Sequence, residues 1–287
     1  SGGLVGSEMC IRDSFTCSNV GTQTLTLTVN DVNSNSSQCT SEVTVQDTIQ
    51  PVALCQDVIL ILDPTGNASV TTAQVDNGSS DACGLQSLSV TPSSFDCDVA
   101  GTNNVTLTAT DVNSNFQTCT ADVLVQDTVP PTIVCQDFTL QLDATGNGTV
   151  LTSDVDNGSF DSCGINTSSV TPAAFTCANI GPNTVTFQIE DTYGNSYDCT
   201  ATVTVSDTVG PNAVCQPLTV QLDATGNVSI TTDDVDNGST DACGIDTKVL
   251  SASSFTCANV GPNNVTLTIT DVNTNSSNCT ANITVED

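Results

Sequence analysis

Cysteine recurs in this chain with a fixed step of 80 residues. Cys55, Cys83, Cys97 and Cys119 return as Cys135, Cys163, Cys177 and Cys199, and again as Cys215, Cys243, Cys257 and Cys279. Pro51, Pro131 and Pro211 keep the same step, as do the strings DNGSSDACG (76–84), DNGSFDSCG (156–164) and DNGSTDACG (236–244). A period this long, with its own apolar pattern in each unit, means tandem domains. Three complete repeats are expected, at 49–128, 129–208 and 209–287. Ser14-Phe15-Thr16-Cys17 and Cys39 align with Ser94-Phe95-Asp96-Cys97 and Cys119, so 14–48 reads as the C-terminal part of another repeat. Upstream the register fails. Residues 3–13 (GLVGSEMCIRD) hold the sole Met and the sole Arg, and the string resembles a peptide found in translated, poorly trimmed sequencing reads. Residues 1–13 are therefore expected to be a non-native leader.

Fifteen cysteines in a chain with no His need a chemical reason. Zinc sites want Cys-x-x-Cys pairs, and there are none. A disulfide framework remains, which requires an oxidising, extracellular or cell-surface setting. Thirty-two acids against two bases leave a net charge of −30, which excludes nucleic acid as a partner. Membrane insertion of this fragment is excluded because no apolar run approaches the ~20 residues of a spanning helix. No basic stretch followed by an apolar one marks a signal peptide, so the chain is expected to be a piece of a longer one.

Each repeat reads as short strands. Val105 to Thr110 alternates apolar and Thr side chains with period 2, as do Thr24 to Val29, Val185 to Ile189 and Val265 to Ile269. A turn such as Asp111 to Asn115 leads to a partner strand with Cys119, Ala121, Val123 and Val125 on its inner face, closing each repeat with a hairpin. Phe138 to Leu142, a Gly-containing turn at Asp143 to Asn147, Gly148 to Leu151 and a weaker run Ile165 to Thr171 supply further strands. A single helical turn is expected near Thr152-Ser153-Asp154. Phe15, Phe95, Phe175 and Phe255 read as core anchors. The fold class is all-β: tandem antiparallel β-sandwiches. Short linkers with Pro130-Pro131 make the array a rod in expectation.

Eighty residues bury a small core, which disulfides would supplement by about 3–4 kcal/mol each. Cys135 and Cys199 both read as inward-facing on first and last strands, so a nested pairing is favoured. It joins Cys55–Cys119, Cys83–Cys97, Cys135–Cys199, Cys163–Cys177, Cys215–Cys279 and Cys243–Cys257. Four cysteines allow three pairings, and the other two stay open. If instead the third and fourth cysteines paired, Cys17 and Cys39 would be bonded.

The stretches Asp127 to Cys135 (DTVPPTIVC) and Gly194 to Val205 (GNSYDCTATVTV) resemble the opening and the close of the hyalin repeat (HYR) family. The resemblance covers 14–287 and implies an immunoglobulin-like fold in extracellular proteins associated with adhesion. Two departures stand out. Gln56, Gln136 and Gln216 replace a common Pro. Ser34, Ser114 and Thr274 stand where the terminal turn has Gly, kept as Gly194. Such variants are similar to tandem arrays on bacterial surface proteins.

Acid clusters are the candidate chemistry. Residues 131–210 carry nine carboxylates and no Lys or Arg, and hard cations want several oxygen ligands. Asp154, Asp156, Asn157 and Asp161 form a candidate Ca²⁺ loop, matched by Asp234, Asp236, Asn237 and Asp241. Asp76, Asn77 and Asp81 stand in the first full repeat, with Gln74 where an acid is expected. The alternative is an Asx turn leading into the cysteine loop. Asp111, Asn113 and Asn115 form a second cluster near a domain junction. Sequons at Asn67, Asn104, Asn147, Asn227 and Asn264 are candidate glycan acceptors. No catalytic residue is proposed and no cofactor is required beyond optional Ca²⁺. The reading is a non-enzymatic extracellular stalk, spacer or filament shaft, whose partners are neighbouring repeats and, through self-association, other copies. The alternative is an adhesion module binding a glycan or protein.

Overall fold

The computed structural model describes residues 14–287, so the expected leader lies outside the described residues. The first elements are a hairpin, β1 (Gly21–Asn30) and β2 (Ser36–Val45). There follow β3 (Val58–Ile61), β4 (Asn67–Ser69), the helical turn α1 (Thr72–Val75), β5 (Leu85–Thr91), β6 (Ser94–Asp96), β7 (Gly101–Asp111) and β8 (Phe116–Gln126). One sheet has the order β3-β8-β7-β5, and β4 pairs with β6 in a second, two-stranded sheet. The same elements recur in the same order from Phe138 to Ser206 and from Leu218 to Glu286. The fold is thus a tandem immunoglobulin-like β-sandwich, with one correction: it is not wholly antiparallel. Val58 to Ile61 runs parallel to Val123 to Gln126. Parallel neighbours need a long crossover, and the second sheet with α1 and the central hairpin supplies it.

Alternation builds the core. Val105, Leu107 and Ala109 of β7 are fully buried, with Ala121, Val123 and Val125 of β8 beside them. Leu60, beside Val125 on β3 of the same sheet, and Leu62, Val70, Val75 and Phe95 are buried with them. Phe175 and Phe255 are buried in the same way, but Phe15 is exposed. The helical turn expected near Thr152 is present as Thr152–Val155. Its counterpart α1 explains Gln74: the Gln74 side-chain oxygen accepts hydrogen bonds from the backbone and hydroxyl of Thr71. Asp154 likewise accepts from the Leu151 backbone N–H. This position is a helix cap. The Gln that replaces Pro also has a structural use, since the Gln56 N–H donates to Val75 O at 2.8 Å and its side chain to Gln74 O at 3.0 Å. A proline would lose the first bond.

The chain forms two compact units, one ending at Val129 and the other running from Pro130 to Asp287. Each contains one junction between consecutive repeats.

Candidate functional site

The junction inside each unit is where the chemistry-bearing residues of this chain meet. In the first unit the preceding hairpin strand leads into the linker 46–50. Asp47 Oδ1 accepts from the Ile49 N–H at 3.0 Å and so turns the chain. The turn after β7 comes back to this linker. Asp111 is fully buried. Its Oδ1 accepts from the N–H groups of Asn113 and Asn115, and its Oδ2 from the Asn115 amide at 2.7 Å. The other hydrogen of that amide reaches the Asp47 carbonyl at 3.2 Å. Burial pushes the Asp111 carboxyl up, but the Asn115 side chain and the backbone N–H groups outweigh it and hold it below the ordinary Asp value. The second unit repeats the arrangement, with Asn275 bridging Asp271 Oδ2 and the Asp207 carbonyl at 2.9 and 3.1 Å. The tip of this turn needs a left-handed residue: φ is +72° at Ser114, +74° at Thr274 and +88° at Gly194.

The cysteine loop lies beside the linker. Asp81 Oδ1 accepts from the N–H groups of Cys83 and Gly84, and Asp241 does the same for Cys243 and Gly244. These Asx turns present the cysteine to the preceding repeat. Cys83 is bonded to Cys17, and Cys243 to Cys177, with Cα–Cα distances of 5.0 and 5.2 Å. Cys55–Cys119, Cys135–Cys199 and Cys215–Cys279 are bonded within their repeats. The outer half of the nested pairing matches these bonds, whereas its inner half is corrected. Cys83 does not pair with Cys97, nor Cys163 with Cys177, nor Cys243 with Cys257. Cys97 and Cys163 are also in disulfides, and Cys257 and Cys39 carry free, exposed thiols.

The reason is strand length. Gly84 accepts the Val112 N–H just beyond the end of β7, whereas Cys97 opens the 3₁₀ turn that precedes Gly101 at its start. Eleven extended residues put those ends roughly 33 Å apart, and a disulfide requires Cα atoms within about 7 Å. The partial repeat shows the same link: Cys17, at the third position, is bonded to the second-position Cys83 of the repeat that follows.

The candidate Ca²⁺ loops are distributed over local turns. Asp76, Asp156 and Asp236 accept from the N–H groups of Ser79, Ser159 and Ser239. Asp154 and Asp234 cap helical turns. Asp236 also pairs with Lys248 Nζ at 2.5 Å. Neither Asp154, Asp156 and Asp161 nor Asp234, Asp236 and Asp241 bring their ligand atoms into one cluster among the described residues. Asn77 and its equivalents Asn157 and Asn237 sit opposite the opening segment, their N–H groups bonding Leu54, Val134 and Val214 carbonyls. A different grouping forms at the junctions. Carboxylate oxygens of Asp47 and Asp81 lie within 4.8 Å of each other and of Cys83 Sγ, and Asp207, Asp241 and Cys243 match them. The sulfur is oxidised, so only oxygens could serve a hard cation. Asp47 Oδ2 and Asn113 Oδ1 are buried there with no hydrogen-bond partner, as is Asn273 Oδ1 in the second unit. Asp47 and Asn113 also line an open groove of about 470 Å³ with Val20, Gly21 and Thr48. The sequon residues Asn67, Asn104, Asn147, Asn227 and Asn264 are exposed.

Disulfide-closed β-sandwiches in series, joined by bonded and hydrogen-bonded junctions, define an extracellular structural or adhesion repeat. Residues 126–205 match the HYR domain family. Hyalin of Strongylocentrotus purpuratus is 28% identical over 240 residues, which is 79% of this chain and 20% of hyalin. The match to the hyalin repeat thus lies at residues 126–205, and the chain spans about a fifth of the length of hyalin. Solved structures similar to the chain include the first four extracellular cadherin domains of protocadherin gamma B7 (14% identity, 94% of this chain and 84% of that one, TM-score 0.31). A three-immunoglobulin-domain segment of titin has 11% identity, covers 84% of this chain and 100% of its own length, and has a TM-score of 0.33. Superpositions at this level carry no argument about function. Among the described residues no helix is long and apolar enough to cross a membrane.

Proposed function

We propose that the chain is a covalently stapled segment of an extracellular stalk, spacer or filament shaft, built from units at 49–128, 129–208 and 209–287 that follow the partial unit 14–48. The observation that carries this reading is the bond between consecutive repeats, Cys17–Cys83 and Cys177–Cys243. It creates a short covalent route along the array. From Cys163 to Cys257 the backbone runs 94 residues, but the route through Cys177–Cys243 uses only 14 residues on each side of the staple. Under load the sandwiches can lose their hydrogen bonds while the array keeps nearly its length, which suits an element that holds something at a distance.

Force spectroscopy between handles beside Cys163 and Cys257 tests this. At ~3.4 Å per residue the oxidised chain should stretch to about 100 Å and the reduced chain to about 320 Å. Equal lengths with and without reductant would remove the stapled-array reading, as would a non-reduced digest that joins Cys177 to Cys163.

A second reading, Ca²⁺-dependent adhesion, is favoured by one observation: the buried, unpartnered oxygens of Asp47 and Asn113 beside Asp81. Buried polar atoms ordinarily find partners, and a hard cation supplies one. Calcium should raise the melting temperature and a chelator reverse it; a melting curve indifferent to both eliminates the reading.

A further inference from the structure

The last repeat carries the same surface that the repeat before it uses at the junction within the second unit. Cys177 Sγ lies 3.7 Å from the Gly146 carbonyl oxygen, and Cys257 Sγ lies 3.7 Å from that of Gly226. A Cβ on either glycine would meet that sulfur at 2.6 Å, so both turns are shaped around it. At Gly146 the same Cβ would also meet Ala242 Cβ at 3.2 Å, because the Asp241-Ala242-Cys243-Gly244 loop of the next repeat is seated there. At Gly226 nothing but Cys257 Sγ lies within 4 Å. Val260 is 53% exposed where its counterpart Ile180 is 37% exposed. The cysteine is thus held in the bonded position, with a free and exposed thiol.

We propose that the Asp223–Asn227 turn and the Cys257–Asn259 turn form a docking face for the second-cysteine loop of a further repeat of this type, closed by a Cys257 disulfide. The inference rests on the stapled-array reading and extends it to a defined partner: a hyalin-type repeat with a reduced Asp-Ala-Cys-Gly or Asp-Ser-Cys-Gly loop. The oxidant is a low-molecular-weight disulfide. The Cys257 thiolate attacks one of its sulfurs and expels one thiolate. The loop cysteine thiolate then attacks Cys257 Sγ and expels the second, so two protein thiols are oxidised and one small disulfide becomes two thiols.

The test appends a copy of residues 208–287 after Asp287, which keeps the 80-residue step, and refolds the chain with oxidised and reduced glutathione. Alkylation of Cys257 should fall from complete to near zero, and a non-reduced digest should join Cys257 to the appended copy of the Cys243 loop. If Cys177–Cys243 forms while Cys257 stays fully alkylated, or is found bonded to Cys39 or to a second Cys257, the docking face is wrong and the array reading stands. If Cys177–Cys243 is itself absent, both fall. A second arm uses the unextended chain and a peptide of residues 236–246. Its cysteine should exchange onto glutathionylated Cys257 about tenfold faster than that of a scrambled peptide, equivalent to ~1.4 kcal/mol of docking. Equal rates overturn the proposal.

Discussion

The hairpin at 21–45 and the hairpin at 101–126 are the same element in two settings. Both pair ten residues in identical antiparallel register, Gly21 with Val45 in one and Gly101 with Val125 in the other. Both keep the Asp-to-Asn turn, with Asp31 accepting from Asn35 as Asp111 does from Asn115. Their burial is opposite. Leu27 is 62% exposed where Leu107 is 0% exposed. Cys39 carries a thiol where Cys119 is bonded to Cys55. Register and turn chemistry are therefore local, whereas the inner face becomes a core only where β3 extends the sheet and β4 and β6 lie over it. The disulfide follows the strand that extends the sheet, because Cys55 lies just before β3.

Substitution at the paired leucines makes the sharpest test. Leu107→Ala should cost about 3 kcal/mol in urea unfolding of its unit, by lost burial plus a cavity. Leu27→Ala should stay within about 0.5 kcal/mol, since its side chain has little burial to lose. Equal losses would mean that the first hairpin is covered in solution. Acid gives a smaller contrast. Asp111 and Asp31 are both held below the ordinary Asp value, Asp31 chiefly by the Asn35 side chain. A depressed carboxyl contributes stability that is complete above the unfolded-state value and fades as pH falls through the folded one. As pH falls below the unfolded-state Asp value of about 3.9 the Asp111 contribution should fade, and the melting temperature of the complete repeat with it. Protonating Asp31 should change only local signals of its own turn. Asp111→Asn should flatten the first dependence, and an unchanged pH profile in that variant contradicts the assignment.

Much of this was legible in residues alone. The 80-residue step located the repeats, period-2 runs located the long strands, and the inward position of Cys135 and Cys199 located the bond between first and last strands. The short strand Ser94–Asp96 and the 3₁₀ turn after it carry no periodicity long enough to read. The partial repeat was legible as a fragment, but the exposure of Phe15 was not, because burial depends on which strands are present to cover it. At the candidate site, Asp156 and Asp161 looked like ligands of one loop because they are close in sequence. They point into separate turns because each oxygen is taken by the nearest backbone N–H.

The succession of the long strands along the chain, their pairing across each hairpin and the presence of a disulfide framework followed from local pattern and composition. Which cysteine meets which was decided only in three dimensions. A strand of eleven residues carries the second and third cysteines of a repeat to opposite ends of the sandwich, beyond the reach of a disulfide, so Cys83 is bonded to Cys17 and Cys243 to Cys177 across the junction within each unit.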